Sequence, residues 1–216
     1  MPDGVIFDMD GVLVNSGPAH HESWQRLARK HGIAVSAKRF RQTFGRPSRD
    51  IIRILCGEQV TDEQIRRLDE EKEAIYRELI SGHIPLMPGC RELLERLRNA
   101  GFHLAVATSG PPENLDLVMS DSLIASYFEA AVHGFDIARG KPEPDCFLLA
   151  AERLGVPAPA CVVVEDAPVG IQAALAAGMK VIALAGTHPP EVLQEAGSAR
   201  VVRHLDEITP DLIRAL

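Results

Sequence analysis

The sequence predicts an α/β protein: a doubly wound, mostly parallel sheet of Rossmann-like type, interrupted near its start by an inserted helical cap. Three observations predict it. Short apolar, β-branched runs recur along the chain, and continuously apolar strands are those covered on both faces, as in parallel sheets. Helical patterns that stop at glycine separate several of these runs, the rhythm of a wound sheet. One interval breaks the rhythm, exceeding the roughly 30 residues of a strand–helix unit by about 60.

The strands are expected at residues 5–7, 104–107, 131–132, 161–164, 181–184 and 201–202. Residues 91–100 form a helix with Leu93, Leu94 and Leu97 on one face and Gly101 as its stop. Residues 145–154 run from Pro144 to Gly155, and the Ala-rich 170–177 ends at Gly178. The long interval between Asp8 and Leu104 reads as helices over 20–31, 37–43, 48–55 and 62–81. The last carries Ile65, Leu68, Ile75 and Leu79 as a thin apolar stripe with a solvated opposite face. The expected division is a core of residues 1–15 and 84–216 and a cap of 16–83. Because ligands of open α/β sheets bind beyond the carboxyl ends of the strands, an insert leaving there is placed to cover the site.

Of the 216 residues, 46% are hydrophobic and 25% charged, and 23 Lys and Arg against 30 Asp and Glu give a net charge of −7. That balance argues against disorder and against a broad basic surface for nucleic acid. A small anionic ligand stays compatible with it. The densest apolar stretch, 173–185, is cut by Gly178 and Lys180, so no membrane span is expected. No basic-then-apolar leader is visible. Cys56, Cys90, Cys146 and Cys161 lack metal-ligand spacing and read as small core residues of a cytoplasmic, reducing setting.

The chemistry-bearing residues gather at the predicted strand ends. Asp8 and Asp10 follow the first strand, and residues two apart in extended chain face the same way. Two such carboxylates repel and are costly to desolvate, which a hard cation such as Mg²⁺ relieves; an acidic turn capping the next helix is the alternative. Thr108-Ser109-Gly110 follows the second strand, Glu165-Asp166 the fourth, and Gly140-Lys141-Pro142 precedes the helix at 145. Singly these are ordinary caps and turns; together they bring carboxylates, a hydroxyl and a lysine to one sheet edge, a set able to bind Mg²⁺ and a phosphoryl group. Competing motifs fail. The interval from Gly134 to Gly140-Lys141 is one residue too long for a phosphate loop, and Pro142 stands where Ser or Thr belongs. No dinucleotide fingerprint or nucleophile elbow occurs. His20-His21-Glu22 lacks a second histidine at helical spacing, and Trp24, Phe40 and Phe44 read as cap core.

The segments 8–13 (Asp-Met-Asp-Gly-Val-Leu), Thr108-Ser109, 140–145 and 164–171, in this order, resemble the haloacid dehalogenase-like hydrolase superfamily. The resemblance covers essentially the whole chain, and the insert is similar to the small helical cap of the subgroup holding β-phosphoglucomutase and sugar-phosphate phosphatases. It implies that Asp8 is a nucleophile forming an aspartyl phosphate and Asp10 a general acid and base. It further implies that Thr108 and Lys141 hold the phosphoryl oxygens, and that Mg²⁺ sits on the Asp8 carboxylate, the Asp10 carbonyl and Asp166, with Glu165 close by. Ser109, Gly110, His20 and Arg49 become substrate contacts, Arg49 able to grip a second anionic group bidentately; a surface-helix role is the alternative for Arg49. Departures from the mutase pattern are Gly45-Arg46-Pro47, Pro111 and Pro112, and from the wider family's pattern Asn15 and Gly17. The expected activity is therefore Mg²⁺-dependent hydrolysis of a small phosphorylated metabolite. A β-phosphoglucomutase-type reaction is the second reading and a phospho-signalling or binding module the third. The expected state is a monomer or weak dimer, with no nucleic-acid or membrane partner.

Overall fold

The computed structural model describes residues 2–33, 48–57, 59–120 and 122–216. Six strands form one wholly parallel sheet in the order β3-β2-β1-β4-β5-β6. They are β1 (Gly4–Phe7), β2 (His103–Ala107), β3 (Ala130–Val132), β4 (Cys161–Glu165), β5 (Lys180–Leu184) and β6 (Arg200–Val202). The chain grows outward from β1 through β2 to β3, then returns to place β4 on the other side of β1. Gly4 is in register with both His103 and Cys161. The centre of the sheet is thus a topological switch point, where wound sheets open a crevice for ligands.

All four residues of β1 are buried, as a central parallel strand requires. Alternate residues face opposite layers. Val5, Phe7, Val106 and Val164 join one core cluster with Leu93, Leu94 and Leu97 of α4 (Cys90–Asn99). Ile6, Ala105, Val163 and Ala183 join the other with Phe147 and Ala150 of α7 (Asp145–Leu154) and Ile171 of α8 (Pro168–Ala176). Cys90, Cys146 and Cys161 are buried in these clusters, and no disulfide links the four cysteines.

Between β1 and β2 lie α1 (Gly17–His31), α2 (Ser48–Cys56) and α3 (Asp62–Ile80). A separate apolar cluster of Trp24, Leu27, Ile51, Ile52 and Ile65 holds them together. Trp24 is a buried member of this cluster; Phe40, Phe44, Gly45-Arg46-Pro47 and the helix expected at 37–43 lie outside the described residues. α3 starts on a capping box of Thr61 and Gln64. Its buried face corrects the sequence reading. Ile65, Asp69, Lys72, Glu73, Tyr76 and Ile80 are buried, at helical spacing, so this face is largely polar rather than the thin apolar stripe expected.

The two chain crossings run side by side. Asn15 N–H donates to the Pro85 carbonyl at 2.7 Å and Met87 N–H to the Leu13 carbonyl at 2.8 Å. Four short helices escaped the sequence reading: α5 (Pro112–Met119), α6 (Ser122–Ala125), α9 (Pro190–Glu195) and α10 (Pro210–Arg214). Three of them open on a proline, which suits the first helical position but reads as a loop when periodicity is short.

Candidate active site

Asp8 leaves the end of β1 with its N–H bonded to the Val164 carbonyl at 2.9 Å. Lys141, in the loop before α7, buries its ammonium against it. Nζ donates to Asp8 Oδ1 at 2.5 Å and to Glu165 Oε1 at 2.6 Å, and lies 4.9 Å from the Phe147 ring centroid. Burial alone favours the neutral amine, but the carboxylates of Asp8 and Glu165 outweigh it and hold Lys141 charged. Glu165, ending β4, gives its other oxygen to the N–H groups of Asp166 at 2.7 Å and Ala167 at 2.8 Å, ahead of α8. Its two oxygens thus anchor Lys141 to the backbone.

Two glycines make room for this cluster. A Cβ on Gly170 would stand 1.7 Å from Glu165 Oε1. Gly11, at φ +82°, has its Cβ position 2.0 Å from Asp166 Oδ2, so the backbone after Asp10 lies against that carboxylate. Asp166 Oδ2 is buried with no hydrogen-bond partner among the described residues. Burial, then repulsion from Glu165 and Asp8, pushes its carboxyl well above the usual range. Asp8 is pushed up to about 7, chiefly by burial, with Lys141 opposing and Glu165 and Asp10 adding repulsion. One lysine does not neutralise three buried carboxylates, so the donor set fits an added cation. Mg²⁺, which keeps water and takes one or two carboxylates plus substrate phosphate, is such a cation.

Asp10 faces the helical insert. Its Oδ1 accepts from His20 Nε2 at 3.1 Å and from the Tyr76 hydroxyl at 3.2 Å. Burial would raise its carboxyl, but His20 outweighs that and lowers it to about 2. The rings of His20 and Tyr76 stack at 3.9 Å. Behind them Lys72 Nζ lies 2.8 Å from His20 Nδ1 and donates to Glu73 Oε1 at 2.8 Å. Asn114 of α5 donates to Glu73 Oε2 at 2.7 Å and accepts from Arg77 at 2.9 Å. Lys72, Glu73, Tyr76 and Asn114 were not found from sequence. Their signal was the 69/72/73/76 spacing, concealed because charged residues were assigned to the solvated face.

Thr108 is buried after β2, where its Oγ1 accepts the Gly110 N–H at 3.0 Å. Ser109, Gly110 and Arg49 line a cavity of about 330 Å³ between the insert and the sheet edge. Arg49 Nε donates to Asp69 Oδ2 at 2.9 Å, and its guanidinium carbon lies 4.8 Å from the Phe135 ring centroid. The structure therefore brings Asp8, Lys141, Glu165 and Asp166 into one buried cluster, joins Asp10 to His20, and sets Ser109, Gly110 and Arg49 around the adjoining space. Gly134, rejected above as the start of a phosphate loop, packs against the Ser109 carbonyl, 2.4 Å from where its Cβ would be.

A parallel sheet whose central strand ends in a carboxylate held by a buried lysine, beside a second carboxylate with one unpartnered oxygen, defines an α/β enzyme working at its switch point. The profile of the haloacid dehalogenase-like hydrolases matches residues 2–178, and the chain belongs to that family. It is 36% identical over 211 residues to hexitol phosphatase A of Escherichia coli K12, covering 95% of this chain and 93% of that one. It is 31% identical over 216 residues to β-phosphoglucomutase of Bacillus subtilis, covering 97% and 92%. Among solved structures, a family IA haloacid dehalogenase hydrolase from Entamoeba histolytica superposes with TM-score 0.87 at 30% identity, covering 99% of this chain and 100% of that one. Among the described residues, no helix is long and apolar enough to cross a membrane.

Proposed function

We propose that the protein is a Mg²⁺-dependent phosphohydrolase acting on a small phosphorylated metabolite, of the sugar-phosphate kind, through an aspartyl phosphate on Asp8. The observation that carries the reading is Lys141 bridging Asp8 and Glu165 beside the unpartnered Asp166 Oδ2. An Asp8 oxygen attacks phosphorus, and the bond from phosphorus to the leaving oxygen breaks. Asp10, carrying a proton, gives it to that oxygen. Asp10 then takes a proton from water as the water oxygen attacks phosphorus, and the bond to Asp8 breaks, releasing phosphate. Lys141 and Thr108 face the phosphoryl oxygens, and Glu165 positions Lys141. Asp8, the Asp10 carbonyl and Asp166, with Glu165 adjacent, would hold Mg²⁺, which would supply charge neutralisation of the phosphoryl group.

His20 keeps Asp10 anionic until substrate arrives, which suits the base step; for the acid step Asp10 must first gain a proton. Residues 16–83 act as a cap on a core of 1–15 and 84–216, with Ser109, Gly110, His20 and Arg49 meeting the substrate. The setting is cytoplasmic, where the four cysteines stay reduced. A β-phosphoglucomutase-type reaction is the second reading, supported by the likeness to that enzyme over 97% of this chain. Phosphorylated metabolites incubated with Mg²⁺ and scored for both free phosphate and isomerised sugar phosphate test the two. Phosphate release is the expected result; isomerisation without release would transfer the assignment to the mutase.

A further inference from the structure

Phe135 is a large aromatic left 57% exposed, on the loop between β3 and α7, and it lines the cavity beside Arg49. Among the described residues it belongs to no buried apolar cluster. The loop that carries it is fixed. Gly134 N–H donates to the Gly110 carbonyl at 2.8 Å, and His133 N–H to Asp136 Oδ2 at 3.0 Å. Asp136 in turn pairs with Arg153 at 3.0 Å. The ring therefore keeps a set distance from the phosphoryl end of the cavity, where Gly110 follows Thr108.

Arg49 is engaged from two sides. Phe135 lies against the guanidinium, and Asp69 accepts from its Nε. Among the described residues, the charged lining of the cavity is Arg49 and Arg53 against Asp50, Asp69 and Glu73. A second phosphate at the far end would have to draw Arg49 from Asp69, or Arg53 from Asp62, and leave the vacated carboxylate unneutralised beside it. A sugar or alditol chain meets no such cost. Its hydroxyls find carboxylate acceptors, and its C–H face finds an aromatic ring.

We propose that Phe135 and Asp69 are specificity-determining residues that occupy Arg49, so that the cavity accepts monophosphates with an uncharged polyhydroxylated far end and rejects bisphosphates of the same skeleton. The proposal rests on the phosphohydrolase reading and narrows its substrate. The test is steady-state hydrolysis, with Mg²⁺, of fructose 1-phosphate and fructose 1,6-bisphosphate, with acetyl phosphate establishing that the wild type is a phosphatase at all. The wild type is expected to favour the monophosphate by about tenfold or more in kcat/KM, the scale of one charged hydrogen bond. Asp69→Asn and Phe135→Ala should each shift the bisphosphate-to-monophosphate ratio upward, the first by about tenfold, the second by several-fold and through KM for the monophosphate. A side chain that only supports the fold would lower both substrates together and leave the ratio where it was. Wild-type enzyme that cleaves acetyl phosphate but handles the bisphosphate as well as the monophosphate overturns this proposal alone, as does a ratio unmoved in both variants. Wild-type enzyme inert on all three compounds overturns the phosphohydrolase reading and this proposal with it.

Discussion

The ammonium nitrogen of Lys72 stands 2.8 Å from Nδ1 of His20, and that contact decides which proton faces Asp10. An ammonium has donors and no lone pair, so Nδ1 must accept. The ring proton then sits on Nε2, which is the atom 3.1 Å from Asp10 Oδ1. A buried lysine on α3 thus orients the proposed acid and base at the end of β1, through a histidine on α1.

Replacing Lys72 with Met is expected to do two separable things. It frees the His20 tautomer, lowering kcat by about tenfold to a hundredfold, the worth of a charged hydrogen bond. It also leaves Glu73 buried without its ammonium, at a cost of about 3–5 kcal/mol in stability. Adding Glu73→Gln should recover much of the stability but not the rate. Urea denaturation and sugar-phosphate kinetics on both variants check this; a double variant no more stable than Lys72→Met would remove the buried-pair account.

The same pair sets a pH window for stability. Burial raises the Glu73 carboxyl, but Lys72, then His20 and Ser48, outweigh it and lower it to about 2, against an ordinary 4.5. A carboxyl with a depressed folded-state value stabilises above its unfolded value and loses that contribution as pH falls. Stability assigned to Glu73 is therefore present above about pH 4.5 and fades between there and about pH 2. Glu73→Gln should flatten that part of the wild-type curve of unfolding free energy against pH. An identical curve would show that Glu73 has no such role.

Gly170→Ala tests how closely Glu165 is held. The added methyl would meet Glu165 Oε1 at 1.7 Å, so the carboxylate must shift and loosen Lys141. Turnover of acetyl phosphate should fall by about tenfold or more, because charge positioning dominates phosphoryl transfer. Gly186→Ala, with no atom of the described residues within 4 Å of its Cβ position, is the control and should stay within about 0.5 kcal/mol of wild type. Equal behaviour of the two variants would separate Gly170 from the site.

How much of this was legible in the sequence follows from which signals are local. β1 could be read because a central parallel strand is apolar at every position, and Asp8, Asp10, Thr108, Lys141, Glu165 and Asp166 because they sit where such strands or their loops end. The buried face of α3 could not be read that way. Lys72 and Glu73 are neighbours in sequence and form an ion pair with each other. Their burial depends on His20, Ser48 and Asn114, contributed by three other helices. Phe135 was invisible for a related reason: its partner Arg49 is far away in the chain, and an isolated aromatic in a loop carries no periodicity. The helices that open on proline were missed because eight residues or fewer cannot display an amphipathic repeat.

Metal binding is testable without turnover. Asp8, Glu165 and Asp166 share one lysine, so the cluster is under repulsion that a divalent cation relieves. Mg²⁺ alone should raise the melting temperature of the wild type in proportion to the logarithm of its concentration above Kd. Asp166→Asn removes the buried carboxyl and its unpartnered oxygen together. That variant should melt higher than wild type in EDTA and respond little to Mg²⁺. A variant stabilised by Mg²⁺ as much as wild type would place the metal elsewhere.

The two proposed carboxylate roles predict different leaving-group behaviour. Asp8→Asn exchanges the nucleophile for an amide, so nitrophenyl phosphate and sugar phosphate should both fall to within a few per cent of zero, whatever the leaving group. Asp10→Asn keeps the nucleophile and removes the proton donor. A nitrophenolate departs without help, whereas a sugar alkoxide needs its proton in the transition state, and general acid catalysis is worth about 10²–10⁴. Asp10→Asn should therefore lose far more on the sugar ester, with the gap appearing in the first turnover. Dephosphorylation still lacks its base, so the phosphorylated form of Asp8 should accumulate with the nitrophenyl ester and be seen as a burst. Equal losses on both esters, with no burst, would remove Asp10 from both roles and leave its contact with His20 as a tie between α1 and the end of β1.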